Sequence, residues 1–568
     1  MRSSSPSTSF QTLTGGRTAP SGAEEANPYR NKLFLVIDSV PEMQRALAMT
    51  LASFGAERVE YAGRASDALA KLGHYDFDVV LCDYDLGKGY DGLYLFEEAR
   101  ARNLIKQSCV FMVVTGERRA QRVISAAELA PDDYLLKPFT GEELRVRLER
   151  ALRRREAFRV VDDAIMRFEY MEAIAGCERE TAARSEFSLD FMRLKGSLCL
   201  KIGDWERART LYMSVLQLKP VTWAKLGLGK ALTGLKQYDE ARLLFEEVLR
   251  DNDRVMEAYD WLAKIALANH DGEAAQGVLA TATRLSPVVV RRQKQLSEVA
   301  LANGDLEAAE TACTATLELA RYSWHRDPAL YATLARVQIA RGDKAGASRT
   351  LGSLRRDYKY DKAGEWMADV VDSQLQRAQG NQRRAEQLIA QAGDSLPKLE
   401  GEVGNDALLE YVRTCYQQGR NEAADEVVKK LVRNHHDDEA LLGRLGGMFD
   451  EVGRAEAGRE LIASNVENVV GLNNAAVRAA HGGHFDEAIA LFARAHADLP
   501  DNLQVMLNMC NAIMAQLVRQ GWHESHARNA HALLQKVRSL APDNGKFQKL
   551  LQGWNALMAQ QGRREWVV

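Results

Sequence analysis

Five polar residues stand where apolar runs end. Asp38 closes KLFLVI, Asp83 closes VVLC with Asp85 two residues on, Thr115 closes VFMVV, and Lys137 follows YLL. Two strand-end carboxylates side by side, with a hydroxyl and an ammonium nearby, make a site for a hard cation and a phosphoryl group. Magnesium takes a few carboxylate oxygens, keeps some of its waters and neutralises charge on a transferring phosphate. A lysine places a point charge on a phosphoryl oxygen, and a threonine hydroxyl can hydrogen-bond to another.

The elements that must position these residues are legible in the hydrophobic pattern. Short apolar runs at 32–37, 57–61, 79–82, 110–114 and 134–136 read as strands. Between them, amphipathic segments at 41–54, 64–72, 92–102 and 118–129 read as helices, and another helix starts at 142 and runs on to 158. Continuous apolar strands joined by helices predict a parallel sheet covered on both faces. Ligands of such sheets bind at the carboxyl ends of the strands, where these five residues lie.

The segments LVIDSVPEM, VVLCDYDLGKGYDGL, VVTG and YLLKPF resemble the receiver domain of bacterial response regulators. The resemblance implies an α/β flavodoxin-like (CheY-like) fold with sheet order 2-1-3-4-5. It also implies roles. Asp83 is the phosphoacceptor, and Asp38 is the first acid of the usual pair. Asp85 ligates a magnesium ion through its backbone carbonyl. Thr115 is the switch hydroxyl, Lys137 the invariant lysine, Tyr134 the aromatic that rotates on activation, and Pro138 follows a cis peptide bond. One position departs from the pattern: Ser39 stands where the family has its second acid, which should weaken magnesium binding.

From residue 188 onward the chain repeats itself. A turn residue, usually Gly, is followed five positions later by a small one. The pairs are Gly203/Ala208, Lys236/Ala241, His270/Ala275, Gly304/Ala309, Gly342/Ala347, Gly380/Ala385, Gly419/Ala424, Gly453/Gly458 and Gly483/Ala488. The turn residue ends one helix in a left-handed conformation, and the small residue lies where the next helix crosses it. Tyr212, Phe245 and Phe492 are placed to fill the space between repeats, and Pro220, Pro287 and Pro500 to stop second helices. This pattern resembles the tetratricopeptide repeat (TPR), an all-α superhelical solenoid whose concave surface binds peptides or helices of other proteins. The expected organisation is a disordered tail at 1–30, a receiver at 31–155, a helical linker at 156–188, and a TPR-like array with C-terminal capping helices at 189–568.

The bulk composition narrows the function. The 568 residues carry 75 basic and 78 acidic side chains, a net charge of −3 that offers no basic footprint for nucleic acid. The run Arg150, Arg153, Arg154 and Arg155 reads as a solvated helix face. Seven scattered cysteines form neither a disulfide framework nor a zinc site. Neither a signal peptide nor an apolar run long enough to span a membrane is expected, which places the chain in the cytoplasm. KLGLGKAL at 225–232 lacks the spacing of a phosphate loop, and the NHHDD run at 434–438 reads as a solvated turn. The expectation is therefore a non-enzymatic regulator of two-component (phosphorelay) signalling. A histidine kinase or phosphotransfer protein phosphorylates Asp83, the repeats bind an unidentified protein or peptide, and the switch can also act on pairing of two chains. The alternative is a constitutive TPR scaffold whose pseudo-receiver, disabled by Ser39, is never phosphorylated.

Overall fold

The structure, a computed structural model, describes residues 27–87, 92–116, 131–184, 186–321, 323, 325–399, 401–436, 438–563 and 566–568. The first unit is a five-stranded parallel sheet, β1 (Leu33–Ile37), β2 (Arg58–Ala62), β3 (Val79–Asp83), β4 (Val110–Thr115) and β5 (Asp133–Leu136). Its order is β2-β1-β3-β4-β5, with every neighbouring pair parallel. Four helices accompany it: α1 (Pro41–Ser53), α2 (Ala65–His74), α3 (Gly92–Ala101) and α4 (Gly141–Glu156). The helix expected at 118–129 lies outside the described residues.

Because side chains alternate along a strand, the sheet has two apolar faces. Phe34, Val36, Val79, Leu81, Val110 and Met112 face α1 and α4, where Leu47, Leu51, Leu144 and Leu148 meet them. Leu35, Ile37, Val80, Cys82, Phe111 and Val113 face α2 and α3, meeting Ala68, Leu72, Leu93 and Phe96. The central strands β1, β3 and β4 are thus buried on both sides, which is why they read as continuous apolar runs.

Residues 27–30, expected to belong to the tail, pack on the receiver. Tyr29 is buried against Phe34 and Phe54, and Asn27 Nδ2 donates to the Phe54 carbonyl at 2.6 Å. An aromatic ring one turn before β1 covers the end of α1 and brings the preceding backbone with it. At the other end, α4 stops at Glu156 instead of running to residue 158. In the basic run at its end Arg150, Arg153 and Arg154 are exposed, as expected of a solvated face, and Arg155 is the exception. Arg155, with only 14% of its side chain exposed, pairs with Asp132 and donates to the Gln107 carbonyl at 2.9 Å, while Arg154 pairs with Asp190. Arg154 and Arg155 sit where the receiver meets the following helices, and each pairs with a carboxylate there.

After α4 the described chain is helical, first Arg159–Met166 and Tyr170–Ala182, then a succession of antiparallel hairpins from Ser188–Lys201 to Gly545–Gln560. The helix Tyr170–Ala182 packs on Ser188–Lys201 as one more layer of this array. All nine turn residues have positive φ, from 59° at His270 to 88° at Gly380. The alanines five positions on, Ala208, Ala241, Ala275, Ala309, Ala347, Ala385, Ala424 and Ala488, are fully buried at the helix crossings. At Gly458 the approach is closer still, since a Cβ there would lie 2.1 Å from the Phe449 ring. Tyr212 fills the space between two hairpins, its ring within 2.5 Å of where a Cβ on Gly196 or Gly227 would stand.

Three features depart from a plain run of hairpins. Ala455–His481 is a single 27-residue helix where the repeat spacing would accommodate two; no proline or turn residue interrupts it. The first helices of several middle hairpins are joined by ion pairs. Lys294 pairs with Asp406 at 2.6 Å, and Glu410 is buried between Arg336 at 3.2 Å and Arg413 at 2.6 Å. Finally, the last helix returns to the first. Gln548, 1% exposed, accepts the Tyr170 N–H at 2.6 Å and donates to the Phe168 carbonyl, while Lys201 pairs with Asp543 at 3.0 Å. The superhelix therefore closes on itself. No helix among the described residues is long and apolar enough to cross a membrane.

Candidate functional site

The parallel register sets the site. Ile37 pairs with Cys82 and Asp83 with Val114, so Asp38, Asp83 and Thr115 leave three adjacent strands at one level. Thr115 pairs with Leu136, and the Lys137 N–H donates to the Thr115 carbonyl at 2.6 Å, which brings Lys137 to the same rim. The Lys137–Pro138 peptide bond is cis. The capping box of Thr140 and Glu143 then starts α4 immediately behind this loop.

Here the Lys137 ammonium lies 3.0 Å from an Asp38 oxygen and 3.1 Å from an Asp83 oxygen. Asp38 is almost wholly buried, and its other oxygen accepts the Val40 N–H at 2.8 Å, which fixes its orientation. Burial pushes the Asp83 carboxyl above the usual carboxylate range; Lys137 opposes that shift and the Asp38 charge adds to it. Thr115 is 2% exposed, and Tyr134 packs against the apolar cluster under α2 and α3.

Asp85 turns its carboxylate to its own loop, accepting the Gly87 N–H at 2.9 Å. Its backbone carbonyl accepts the Ser39 hydroxyl at 3.3 Å. Ser39 thus engages the oxygen that the family resemblance assigns to the metal. The sequence marked this position as a departure, but its hydrogen-bond partner is 46 residues away and left no local signal. Two carboxylates and one carbonyl suit a hard cation that keeps several waters, with the serine hydroxyl on one lone pair of that carbonyl.

Gly92 was not singled out in the sequence, yet it holds α3 against the site. Its N–H donates to the Tyr84 carbonyl at 2.8 Å, and a Cβ there would fall 2.3 Å from the Asp83 carbonyl oxygen. The motifs set aside stay apart from this site. KLGLGKAL lies inside the helix Thr222–Gly234. In the NHHDD run, Asp438 caps the helix Glu439–Glu451 by accepting the Leu441 N–H at 3.0 Å, and Asp437 lies outside the described residues. None of the seven cysteines is in a disulfide, and all seven are buried.

Comparison with known proteins agrees with this geometry. Residues 34–149 match the response regulator receiver domain family. Chemotaxis protein CheY-3 of Vibrio cholerae is 30% identical over 130 residues, which is 23% of this chain and 98% of that protein. The chain belongs to the response regulators. Chemotaxis protein CheY of Pseudomonas aeruginosa is 29% identical over 120 residues, covering 21% of this regulator and 95% of that protein. Among solved structures, a CheY-like receiver from Methanospirillum hungatei is similar at 25% identity, covering 22% of this regulator and 96% of that chain with a TM-score of 0.20. A tetratricopeptide repeat protein from Parabacteroides merdae is similar at 15% identity, covering 46% and 98% with a TM-score of 0.33. The regulator is a CheY-like receiver followed by a TPR-like helical array.

Proposed function

We propose that this response regulator accepts a phosphoryl group on Asp83 from a histidine kinase or phosphotransfer protein, and that its helical array is a protein-binding output. The observation that carries the reading is the Lys137 ammonium set between Asp38 and Asp83 at 3.0 and 3.1 Å, on the rim where the strands end. In the transfer, an Asp83 carboxylate oxygen attacks phosphorus in line, a P–O bond forms and the P–N bond of the donor's phosphohistidine breaks. Lys137 exchanges its contact with Asp83 for a phosphoryl oxygen, and the Thr115 hydroxyl donates to another. Magnesium, when bound, neutralises charge on the phosphoryl oxygens, and the Asp38 and Asp83 carboxylates with the Asp85 carbonyl are the groups that would hold it. The regulator assists only its own phosphorylation and dephosphorylation, without turning over a separate substrate, and works in the cytoplasm.

A specific contact favours the second reading. The Ser39 hydroxyl on the Asp85 carbonyl supplies no charge and occupies a ligand oxygen, which is how a pseudo-receiver scaffold would be built. Incubation with acetyl phosphate and magnesium, followed by a phosphate-affinity gel, separates the two. A retarded band that Asp83→Asn abolishes supports the phosphorelay regulator; no retardation, together with no measurable magnesium binding, supports the scaffold.

A further inference from the structure

Four helices of the array, Val290–Ala302, Ala329–Ala340, Lys362–Ala378 and Asn405–Gln417, begin around one cleft of about 560 Å³. Pockets for small molecules run from roughly 300 to 1,000 Å³. The first turn of a helix carries N–H groups with no partner inside the helix and about half a positive charge. At two of the four starts a carboxylate caps that turn: Asp327 accepts the Ala329 N–H at 2.8 Å, and Asp361 the Gly364 N–H at 2.9 Å. The other two starts follow Val289 and Gly404, which make no side-chain cap. The receiver stands beside the cleft, where Tyr94 Oη of α3 donates to the Val288 carbonyl at 2.9 Å and Glu97 Oε1 lies 3.2 Å from His325 Nε2.

Two of the cations lining the cleft are likewise uncommitted. Lys294 is paired with Asp406 at 2.6 Å, but Arg291, with 77% of its side chain exposed, comes no nearer to a carboxylate than 3.9 Å, at Asp260. The Arg326 guanidinium lies 4.2 Å over the Tyr358 ring, donates to the Asp357 carbonyl and pairs with no carboxylate among the described residues. Tyr358, in the same wall, is 7% exposed, and its hydroxyl has no hydrogen-bond partner among the described residues. A buried hydroxyl left without a partner is costly, and it calls for an explanation.

We propose that this cleft is a binding site for a small organic anion, a phosphate or carboxylate group carried on an apolar body. Arg291, Arg326 and the two uncapped helix starts supply the charge and the N–H donors that hold such a group. The Tyr358 hydroxyl adds one more donor, and Leu330, Val403 and Ala407 receive the apolar part. The acids nearby are accounted for. Asp327 and Asp361 face their own helix starts, Asp406 is held by Lys294 and Arg444, and Glu402 is exposed. Burial also pushes the Asp327 carboxyl above the usual carboxylate range, which lessens the charge it sets against an anion. The site is independent of the chemistry at Asp83.

Titration of the full chain with 1-naphthyl phosphate and with 1-naphthoate, followed by calorimetry, tests the site. At least one is expected to bind with a Kd of about 0.1–1 mM, and the tighter of the two identifies the anionic group. Inorganic phosphate, which lacks the apolar body, is expected to bind about tenfold more weakly. Arg326→Gln and Arg291→Gln are each expected to weaken naphthyl anion binding about tenfold. Tyr358→Phe keeps the ring under Arg326 and is expected to weaken it about threefold. Arg284→Gln removes an exposed charge of the array outside the cleft and is expected to change nothing. No binding of either naphthyl anion up to about 10 mM overturns the site. An equal loss in Arg284→Gln overturns it in favour of general charge attraction. Unchanged affinity in Arg291→Gln, Arg326→Gln and Tyr358→Phe alike overturns it by placing the anion elsewhere on the chain. Inorganic phosphate binding as tightly as the naphthyl anions overturns the apolar half.

Discussion

Ser39 is one hydroxyl in the place of a carboxylate, and the consequence is local and electrostatic. The Asp38 and Asp83 charges are shared with Lys137, so a cation entering the rim meets two carboxylates already paired and a carbonyl already accepting a hydrogen bond. Replacing Ser39 with Asp removes the hydrogen bond and adds a charge facing the ion. Ser39→Asp is expected to tighten magnesium binding about tenfold, read by titration calorimetry. Equal affinity in the two proteins would show that the serine costs the site nothing. Which strand ends carry Asp38, Asp83, Thr115 and Lys137 was legible in the sequence, because each terminates an apolar run. The hydroxyl–carbonyl contact was not, because it joins two loops that only the sheet order brings together.

At the scale of elements, the array is specified by a few backbone conformations repeated. Seven of the nine turns use Gly, but Lys236 and His270 hold φ at 62° and 59° with side chains attached. An L-residue pays roughly 1 kcal/mol for that region, whereas Gly enters it freely. His270 is exposed, so its side chain contributes little packing to offset the cost. His270→Gly is expected to stabilise the chain by about 0.5–1 kcal/mol, and Gly304→Ala to destabilise it by about 1 kcal/mol, both in urea unfolding. A Cβ on Gly304 would meet nothing within 4 Å, so a loss there is conformational rather than steric. A matching stability for wild type and Gly304→Ala would sink this account of the turns. The positions of these turns could be read from residue types alone, since a left-handed residue followed by a buried small one is a local constraint. The 27-residue helix Ala455–His481 could not be divided or joined with the same assurance, because its landmarks are the turns that flank it.

The whole molecule is held by contacts that bring sequence extremes together. Gln548 is the clearest: buried, with its oxygen on the Tyr170 N–H and its nitrogen on the Phe168 and Pro542 carbonyls. Gln548→Ala leaves a buried donor and two acceptors without that partner, at a cost of about 1–3 kcal/mol. The expected result is a lower urea midpoint together with faster proteolysis around residues 168–172 and 541–548. Unchanged midpoint and cleavage would mean that the closure contributes no stability. The ion pairs of Lys294, Arg336 and Arg413 with Asp406 and Glu410 likewise join helices distant in sequence.

The amino-acid sequence determined the receiver's strands, the convergence of its strand-end polar residues and the nine helix turns. Each rests on a short-range rule: apolar runs must be buried, a strand's end exposes the next residue, and a left-handed turn wants Gly. Only the tertiary structure decided that Ser39 meets the Asp85 carbonyl, that α3 lies on the loops near Val288 and His325, and that the array closes at Tyr170 and Gln548. Those last contacts join residues 194, 228 and 378 positions apart. A single hydrogen bond at such separation imposes no period and no composition on the chain. It exists because many locally specified helices, stacked in order, happen to carry the two groups to the same place.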